Sequence, residues 1–435
     1  MRFAADTRSS DTGEIVAALD IGGSKVGCLI AAVEPADETM SGDAHGESTL
    51  RILGIAHRHS RGVQGGSVID LAAAQQTVRT VVAQAERMAR ARLTSVHLAV
   101  GCGQPGSTTF SGHVEVADGI VQKRDVAALA SGAEAFARRD GRVLLALNRI
   151  GYRLDGLAAT RPLGLAGHRL EADHHAVTVD DGPLRNLSLL VESCHLQIAG
   201  LVPAGYASAL STTTEEERRG GVICLDIGAG VTSIAVFADG HFVFADQIPT
   251  GGQHLTLEIA RELGIPLAEA ERIKALYGTL VSTASDEHDL VTYTVPDGDR
   301  GGQQQTTKAA LGRILRLRMQ GLVQQVAARI AASSIGRLPM VRVVLSGGGS
   351  RMLGLGDFVA TQIIAGGRGI AVRVAGPALL HGVVDEQSSP AFACLVGVLL
   401  AAQASPATMR LRSPGQVPER QGYMGRMERW LQESF

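Results

Sequence analysis

The chain has 435 residues, of which 45% are apolar and 3% aromatic, and its formal net charge is −2. This composition predicts a globular protein of two to four domains, and the lack of a basic surplus argues against a nucleic-acid partner. The five cysteines show no paired spacing, so we expect free thiols in a reducing compartment rather than disulfides or a zinc cluster. The N-terminal residues contain no apolar run typical of a signal peptide, and the longest apolar run, residues 391–402, is too short to cross a bilayer.

The first element in the chain is a hairpin with an acidic tip. Residues 15–33 read as a strand, an Asp at its end (Asp20), a polar turn and a second strand. The turn consists of Gly22, Gly23, Ser24 and Lys25. Glycines at such a tip let backbone N–H groups approach a phosphate, and the carboxylate can hold a hydrated Mg²⁺ on that phosphate. The motif alone is weak evidence, since glycine-rich turns after buried strands are common.

The chain then continues into an interruption. After a predicted helix over residues 71–92 and a strand over residues 96–100, residues 114–179 read as a small α+β insertion. The insertion is either an interaction module or a structural addition. Residues 201–210 then predict a strand end, a Pro turn and an Ala-rich helix whose small side chains allow close packing against a partner helix.

A second acidic hairpin lies in the middle of the chain. Residues 223–237 read ICLDIGAGVTSIAVF, and they place Asp226 at the end of the first strand, 206 positions after Asp20. Its turn consists of Gly228, Ala229 and Gly230. A repeat over half the chain indicates a duplicated domain. Two such hairpins facing each other across a cleft would bring both carboxylates and both glycine turns to one polyphosphate.

Two further features follow the second hairpin. A strand over residues 241–249 ends in Gly251 and Gly252, a pair that can also meet phosphate. In the next predicted helices, Glu271 and Lys274 lie three positions apart on one face. That pair can grip the ribose or the adenine edge of a nucleotide, or it is a solvated ion pair worth a few tenths of a kcal/mol.

A third glycine turn occurs late in the chain. A β-branched strand over residues 341–345 runs into this turn, which a helix follows. The turn consists of Gly347, Gly348, Gly349 and Ser350. Strand, glycine turn and helix N-terminus together favour an anion and a purine, because the backbone can contact the ligand and the helix dipole favours its charge.

The C-terminus predicts a tethered amphipathic helix. Residues 405–421 contain Pro, Gly and scattered Arg without apolar periodicity, as a flexible linker does. The apolar residues that follow share one helical face, and they are Tyr423, Met424, Met427, Trp430, Leu431 and Phe435. We interpret them as an interfacial membrane helix, or alternatively as a tail that docks on its own domain or on a partner groove. A helix this short binds membranes marginally, so stable attachment needs several copies side by side.

The three glycine motifs in this order, with the connecting segment 202–210 and the closing helix 391–402, resemble the nucleotide motifs of the actin-like ATPase superfamily. The resemblance covers roughly residues 14–403. It implies an α/β protein with a duplicated actin-like (ribonuclease H-like) ATPase fold and a small α+β inserted subdomain. It also implies ATP and Mg²⁺ as ligands.

The resemblance assigns roles within the motifs. It implies that the turns 22–25 and 228–230 contact phosphates from two sides, while Asp20 and Asp226 hold Mg²⁺ through water. It implies further that residues 347–350 border the adenosine and that the 271/274 pair flanks ribose and base. The chain departs from the chaperone relatives at Val202, Val231 and Ser233, where those relatives have acidic or hydroxyl residues. Loss of a general base costs about two to four orders of magnitude in rate, so we expect weak or negligible ATP hydrolysis and assign no catalytic residue.

Within this superfamily the chain resembles the FtsA family of bacterial division proteins. The segments that carry the likeness are Arg161–Gly167 in the insertion, Ile248–Gly252, Ala270–Lys274 and the tail. The family implies a protein that polymerises on the cytoplasmic face of the inner membrane at the division septum, as a peripheral tether for the FtsZ ring. Its implied partners are the C-terminal peptide of FtsZ, near residues 250–310, other copies of itself, inner-membrane lipid, and later division proteins through the insertion.

The expected organisation follows from these motifs. It comprises a disordered N-terminus (1–13), a first actin-like half (14–95 and 180–212, plus 386–403), an inserted subdomain (96–179), a second half (213–250 and 312–385), a nucleotide-capping and partner-binding subdomain (251–311), a flexible linker (404–421) and a membrane helix (422–435).

Two alternatives share the fold. A sugar kinase is favoured by residues 20–25 and by Ala166–His168, but the chain lacks that family's Cys-x-Cys-Gly cluster and its Asp base, and the tail would have no role. A pilus-assembly scaffold shares the insertion and the nucleotide motifs, but it binds a membrane protein instead of carrying a terminal helix.

Overall fold

The computed structural model describes residues 14–34, 49–295, 302–333, 335, 342–365, 368–378, 388–403 and 409–411. The predicted membrane helix and its six apolar residues lie outside these ranges. The described strands are, in chain order, β1 (Ile15–Ile21), β2 (Lys25–Glu34), β3 (Thr49–His59), β4 (Val63–Gln64), β5 (Ser67–Val68), β6 (Ser95–Val100), β7 (Gly106–Glu115), β8 (Arg142–Leu154), β9 (Leu157–Ala159), β10 (Arg169–Asp180), β11 (Gln197–Pro203), β12 (Val222–Ile227), β13 (Thr232–Ala238), β14 (His241–Ile248), β15 (Leu290–Val295), β16 (Gly302–Thr307), β17 (Arg342–Ser346), β18 (Ile364–Ala365), β19 (Arg368–Gly369), β20 (Ala371–Val374) and β21 (Met409–Leu411).

The described α-helices alternate with these strands in a pattern typical of an α/β protein. They are α1 (Leu71–Ala89), α2 (Lys123–Ala137), α3 (Asp181–Glu192), α4 (Ala204–Thr212), α5 (Glu215–Gly220), α6 (Gly252–Leu263), α7 (Leu267–Tyr277), α8 (Lys308–Ala332), α9 (Leu355–Gln362) and α10 (Ala393–Gln403). No helix among the described residues is long and apolar enough to span a bilayer.

Two five-stranded sheets have the same architecture. The first has the order β3-β2-β1-β6-β11 and the second β14-β13-β12-β17-β20. In each sheet the first three strands in chain order are antiparallel neighbours, and the remaining two run parallel to the first. The duplication predicted from the two acidic hairpins is therefore confirmed, together with the duplicated actin-like fold class.

The two halves are joined by a close helix pair. Helix α10 packs on β1, β2 and α4, where a Cβ atom added to Gly397 would overlap the backbone of Ala207. The Ser211 hydroxyl donates a hydrogen bond of 2.7 Å to the Ala393 carbonyl across this contact. The close approach that the Ala-rich connecting helix predicted is thus present, and it allows α4 and α10 to lie between the two sheets.

The inserted unit forms its own sheet, of order β21-β8-β10-β7, with β9 paired to β8. Its start differs from the expected boundary at residue 96, because β6 pairs with β1 and β11 in the first actin-like sheet. The apolar pattern of residues 96–100 predicts a strand, but it does not predict which parallel strands lie beside it. The second segment of the second half also begins earlier than the expected residue 312, since Thr307 caps α8 by accepting a hydrogen bond of 3.1 Å from the Ala310 N–H.

The predicted linker 404–421 contains a strand. Backbone pairing joins Met409 to Asn148 and Leu411 to Ala146, so that β21 forms an edge of the inserted sheet. Three residues are too few to show an alternating pattern, and for this reason composition alone predicted a linker at these positions.

The inserted unit also contacts the second half directly. The side chain of Asn148 donates a hydrogen bond of 2.7 Å to the Phe242 carbonyl of β14, and the His175 Nδ1 lies 2.9 Å from the same oxygen. The other ring nitrogen of His175 lies 2.7 Å from the Ser107 hydroxyl. Burial lowers the pKa of His175 to about 4, so the imidazole is neutral at pH 7.

Candidate nucleotide site

The two acidic hairpins have the same turn geometry. The Gly22 N–H donates a hydrogen bond of 2.9 Å to the Lys25 carbonyl, and the Gly228 N–H donates one of 2.9 Å to the Val231 carbonyl. Each turn closes two residues after the acidic residue of its strand, so the remaining turn residues present their backbone at the tip. The repeat seen in the sequence is thus a structural repeat at the level of single hydrogen bonds.

The tips of the two hairpins meet. A Cβ atom added to Gly23 would lie 3.9 Å from the Cβ of Ala229 and 3.9 Å from the Gly230 nitrogen. A Cβ atom added to Gly230 would lie 3.1 Å from the Gly65 Cα in the turn between β4 and β5. The glycines therefore permit three turns, from both halves, to converge within van der Waals distance. The structure brings together the two phosphate motifs that the sequence predicted.

Two carboxylates lie at the floor of this cleft. Burial raises the pKa of Asp20 to about 6, with Lys25 opposing that shift and the charge of Asp226 adding to it. Burial likewise raises the pKa of Asp226, against a hydrogen bond donated by Ser208 and the charge of Lys25. The two like charges are close enough to disfavour each other's ionisation, which a cation between them would relieve.

The carboxylates have neighbours that the motifs did not reveal. Ser208, which is buried in α4, donates its hydroxyl to Asp226, and the Cys394 thiol lies within hydrogen-bonding reach of Asp20 and Ser208. Burial raises the pKa of the Cys394 thiol well above its ordinary value, so it is neutral. Their helices are distant in sequence from both hairpins. The only available signal was that the connecting and closing helices belong to the set of nucleotide motifs.

Lys25 is held by the segment before α10. Its Nζ donates a hydrogen bond of 2.5 Å to the Ala391 carbonyl and lies 3.4 Å from the centre of the Phe392 ring. Burial lowers its pKa, and the charge of Asp20 opposes the shift. The ammonium therefore joins the first hairpin to the closing segment besides placing positive charge beside the two carboxylates.

The glycine pair after β14 packs on the second hairpin. The Gly252 N–H donates a hydrogen bond of 2.9 Å to the Gly228 carbonyl. The Glu271 carboxylate accepts a bond of 2.7 Å from Lys274, whose Nζ also lies 3.1 Å from the Gly252 carbonyl. The sequence left open whether these two charges are an isolated surface pair. The structure shows that Lys274 contacts the N-terminus of α6 at Gly252, and that Gly252 in turn contacts the second hairpin.

The third glycine turn contacts the first carboxylate strand of the second half. Gly347 has a φ of +79°, and a Cβ atom there would overlap Asp226. Ser350 is buried, and its hydroxyl donates a hydrogen bond of 2.8 Å to the Gly347 carbonyl. Its side chain is therefore engaged within the turn, so that only its backbone is left for the predicted adenosine contact.

The donor set fits Mg²⁺ held through water. No cluster of three or more His, Cys, Asp or Glu side chains suitable for a metal occurs in the part of the chain that the structure describes. Mg²⁺ commonly binds through one or two carboxylates while it retains water and phosphate oxygens. Asp20 and Asp226, with pKa values raised by burial, are carboxylates of this kind.

Two solved structures have folds similar to that of this chain. The "PilM-PilN type IV pilus biogenesis complex" aligns over 89% of this chain and 98% of that chain, with a TM-score of 0.61 and 18% identity. The MreB5 protein of Spiroplasma citri, solved bound to ADP, aligns over 89% of this chain and 95% of that chain, with a TM-score of 0.50 and 13% identity. At these identities the likeness concerns the fold alone.

Sequence relatives are more informative. The cell division protein FtsA of Agrobacterium fabrum is 32% identical over 98% of this chain and 96% of its own, and that of Neisseria meningitidis is 30% identical over 97% and 98%. Family models for "Cell division protein FtsA" and "SHS2 domain inserted in FTSA" match residues 223–397 and 103–178. The fold and the paired hairpins define the class of actin-like ATPase-fold proteins. Within that class, the chain belongs to the FtsA family of cell division proteins.

The family assignment confirms the resemblance noted in the sequence. It also decides against the sugar kinase and the pilus scaffold, since the full-length relatives are division proteins. The match to residues 103–178 identifies the insertion as a domain of this family and agrees with its start after β6.

Proposed function

We propose that the protein binds ATP and Mg²⁺, assembles into filaments, and links the FtsZ ring to the cytoplasmic face of the inner membrane at the division septum. The observation that carries the nucleotide part is the meeting of two acid-tipped glycine turns, one from each half. Turns 22–25 and 228–230 would contact the phosphates, with 251–252 behind the second turn. Asp20 and Asp226 would hold Mg²⁺ through water. Gly347–Ser350 and the 271/274 pair would border the nucleoside.

Slow hydrolysis is part of the proposal. Val231 and Ser233 follow the second turn, and Val202 precedes the connecting Pro, so none of these positions supplies a carboxylate as general base. Bound ATP would then act mainly by joining the two halves, since a ligand that contacts both stabilises the closed arrangement.

Nucleotide titration tests this site. Asp226→Asn should weaken Mg²⁺-dependent binding of a fluorescent ATP analogue by about tenfold or more, because one of two carboxylates for the hydrated metal is lost. Asp246→Asn is the matched control, since Asp246 pairs with Arg329 away from the turns. Equal affinity of the Asp226→Asn variant and the parent would contradict the proposed site.

The tether is proposed from the final segment, which lies outside the described residues. Its apolar face contains the only Trp of the chain, and its charges nearly cancel. Such a helix inserts at the interface through apolar area and holds firmly only when several copies act together. Filament formation would supply these copies. Later division proteins would bind the inserted subdomain, and the FtsZ peptide would bind the subdomain over residues 251–311.

Co-sedimentation with vesicles of bacterial lipid tests the tether. Trp430→Glu should abolish pelleting with ATP and Mg²⁺ present, whereas Gln432→Glu adds the same charge on the polar face and should retain it. A labelled FtsZ C-terminal peptide should pellet only with variants that bind the vesicles. Equal pelleting of both variants would rule out the tether as described.

A further inference from the structure

One segment of the first half, which includes α1, carries an unusual concentration of positive charge. Residues 49–100 contain seven arginines and only two carboxylates, a net charge of +5 in a chain whose total is −2. Four of these arginines line an open groove of about 760 Å³ along α1 and the loop after it, and they are Arg79, Arg87, Arg90 and Arg92. All four are exposed.

The arginines lie on the solvent side of α1 for a geometric reason. The buried residues of the helix (Ala74, Val78, Val81, Ala85) pack on the first sheet, and positions 76, 79, 83, 87 and 90 fall on the opposite side at 3.6 residues per turn. Of the residues that the structure describes, the one carboxylate that lines the groove beside these arginines is that of Glu86. The result is a strip of guanidinium groups about 16 Å long.

Little in the described part of the chain neutralises this strip. Arg79 and Arg87 donate hydrogen bonds of 2.9 Å and 3.2 Å to backbone carbonyls, of Ser193 and Ala83. Among the described residues, the ion pair in the groove is that of Arg92 with Glu86, at 3.4 Å. Glu86 is itself committed, because it also accepts a hydrogen bond of 2.8 Å from the Leu93 N–H. The strip can therefore accept anions from outside.

We propose that this arginine strip binds the phosphate headgroups of anionic lipid as a second membrane contact. The inference rests on the proposed tether, which would bring the protein to a membrane while contributing almost no net charge of its own. A weak apolar helix and a separate basic surface give the two signals that stable peripheral attachment needs. Arginine suits the role, because its planar fork pairs with phosphate oxygens.

The test separates the strip from the tail by lipid composition. The partition coefficient of the full chain is measured on neutral phosphatidylcholine vesicles and on vesicles with about 40% phosphatidylglycerol, and the ratio of the two is the readout. A triple variant, Arg79→Gln with Arg87→Gln and Arg90→Gln, should lower this ratio by about fivefold per arginine. Its binding to neutral vesicles should not change.

Two controls sharpen the result. Arg138→Gln, Arg219→Gln and Arg261→Gln together remove three exposed arginines elsewhere and should keep the ratio. Replacement of the same three arginines by lysines should keep most of the ratio of the parent. About 0.3 M salt should lower that ratio. Trp430→Glu should lower binding to both kinds of vesicle, so that failure of the tether is distinguishable from failure of the strip.

An unchanged ratio in the glutamine variant would overturn the inference, whatever the tail does. The segment 35–48, which connects β2 to β3 in the sequence, offers a competing occupant, since it contains Asp37, Glu38, Asp43 and Glu47 and no Lys or Arg. If the strip variant and a variant with these four carboxylates neutralised both lower the melting temperature equally, while neither changes the ratio, the groove holds this acidic segment and the lipid assignment is wrong.

Discussion

At the residue scale, the cleft is defined by two carboxylates that disfavour each other's charge. Asp20 has an ordinary pKa of 3.8 and a pKa of about 6 in the folded chain. Between these values the native state holds a proton that the unfolded state has lost, so stability falls as pH rises through this window and stays lower above it. Without a cation, the site is therefore a source of instability at pH 7.

This gives a stability prediction. Asp20→Asn should raise the free energy of unfolding of the ligand-free protein at pH 7 by about 1–2 kcal/mol, because the ionised group is removed. The gain should vanish near pH 4, and melting curves from pH 4 to 8 without Mg²⁺ measure it. Asp246→Asn should not show this pH dependence. A destabilised Asp20→Asn variant at pH 7 would mean that the carboxylate is favourably paired in the empty cleft.

The sequence predicted the hairpin residues of this site because their spacing is local. Asp20 and Asp226 each precede a glycine turn within one hairpin, so a linear motif contains the whole arrangement. Ser208 and Cys394 come from α4 and α10, and Ala391 from the segment before α10, and all three reach the cleft only through tertiary packing. Their contacts depend on how α4 and α10 cross, which no local pattern encodes.

At the scale of elements, local patterns were again predictable from the sequence, whereas contacts between distant segments were not. The strands of both hairpins and the long helix α1 follow clear apolar periods, and they form near the predicted bounds. The partners of β6 and the existence of β21 were not predictable, since parallel neighbours are set by crossover connections and a three-residue strand has no period.

The crossing of α4 and α10 is the element contact most sensitive to change. Gly397→Val should destabilise the protein by about 3 kcal/mol, because the side chain would overlap the Ala207 backbone in a closely packed core. Thermal unfolding of the ligand-free chain measures this. Gly132→Ala is the control, since open space surrounds Gly132 in α2, where alanine should be neutral or stabilising. Similar melting temperatures for the two variants would show that the helices can separate without cost.

At the scale of the whole molecule, the inserted unit connects both halves, since it is covalently part of the first and hydrogen-bonded to β14 of the second. The duplication could be predicted from two motifs. The packing of the insertion against β14 could not, because Asn148, Ser107 and Phe242 belong to separate segments of the chain. Neutral His175 at their centre makes this connection sensitive to acid.

Acid should weaken that connection. The pKa of His175 is about 4 in the fold against 6.5 ordinarily, so stability present at pH 7 is lost as pH falls between these values. His175→Gln should cost about 1–2 kcal/mol at pH 7 and flatten the decline towards pH 5, as measured by urea unfolding. His168→Gln, at an exposed position of the same unit, should change neither the free energy of unfolding at pH 7 nor its decline towards pH 5. An equally steep decline in the His175→Gln variant would assign the acid sensitivity to other groups.

The pairing of β21 with β8 limits the distance between the inserted sheet and the proposed membrane helix. The chain is fixed to the inserted sheet at Leu411, and ten residues separate that point from position 422. Fully extended, they reach at most about 35 Å. With the terminal helix on the bilayer as proposed, the inserted sheet would stay within this distance of the membrane surface. If later division proteins bind the insertion as proposed, they would bind it within this distance of the bilayer.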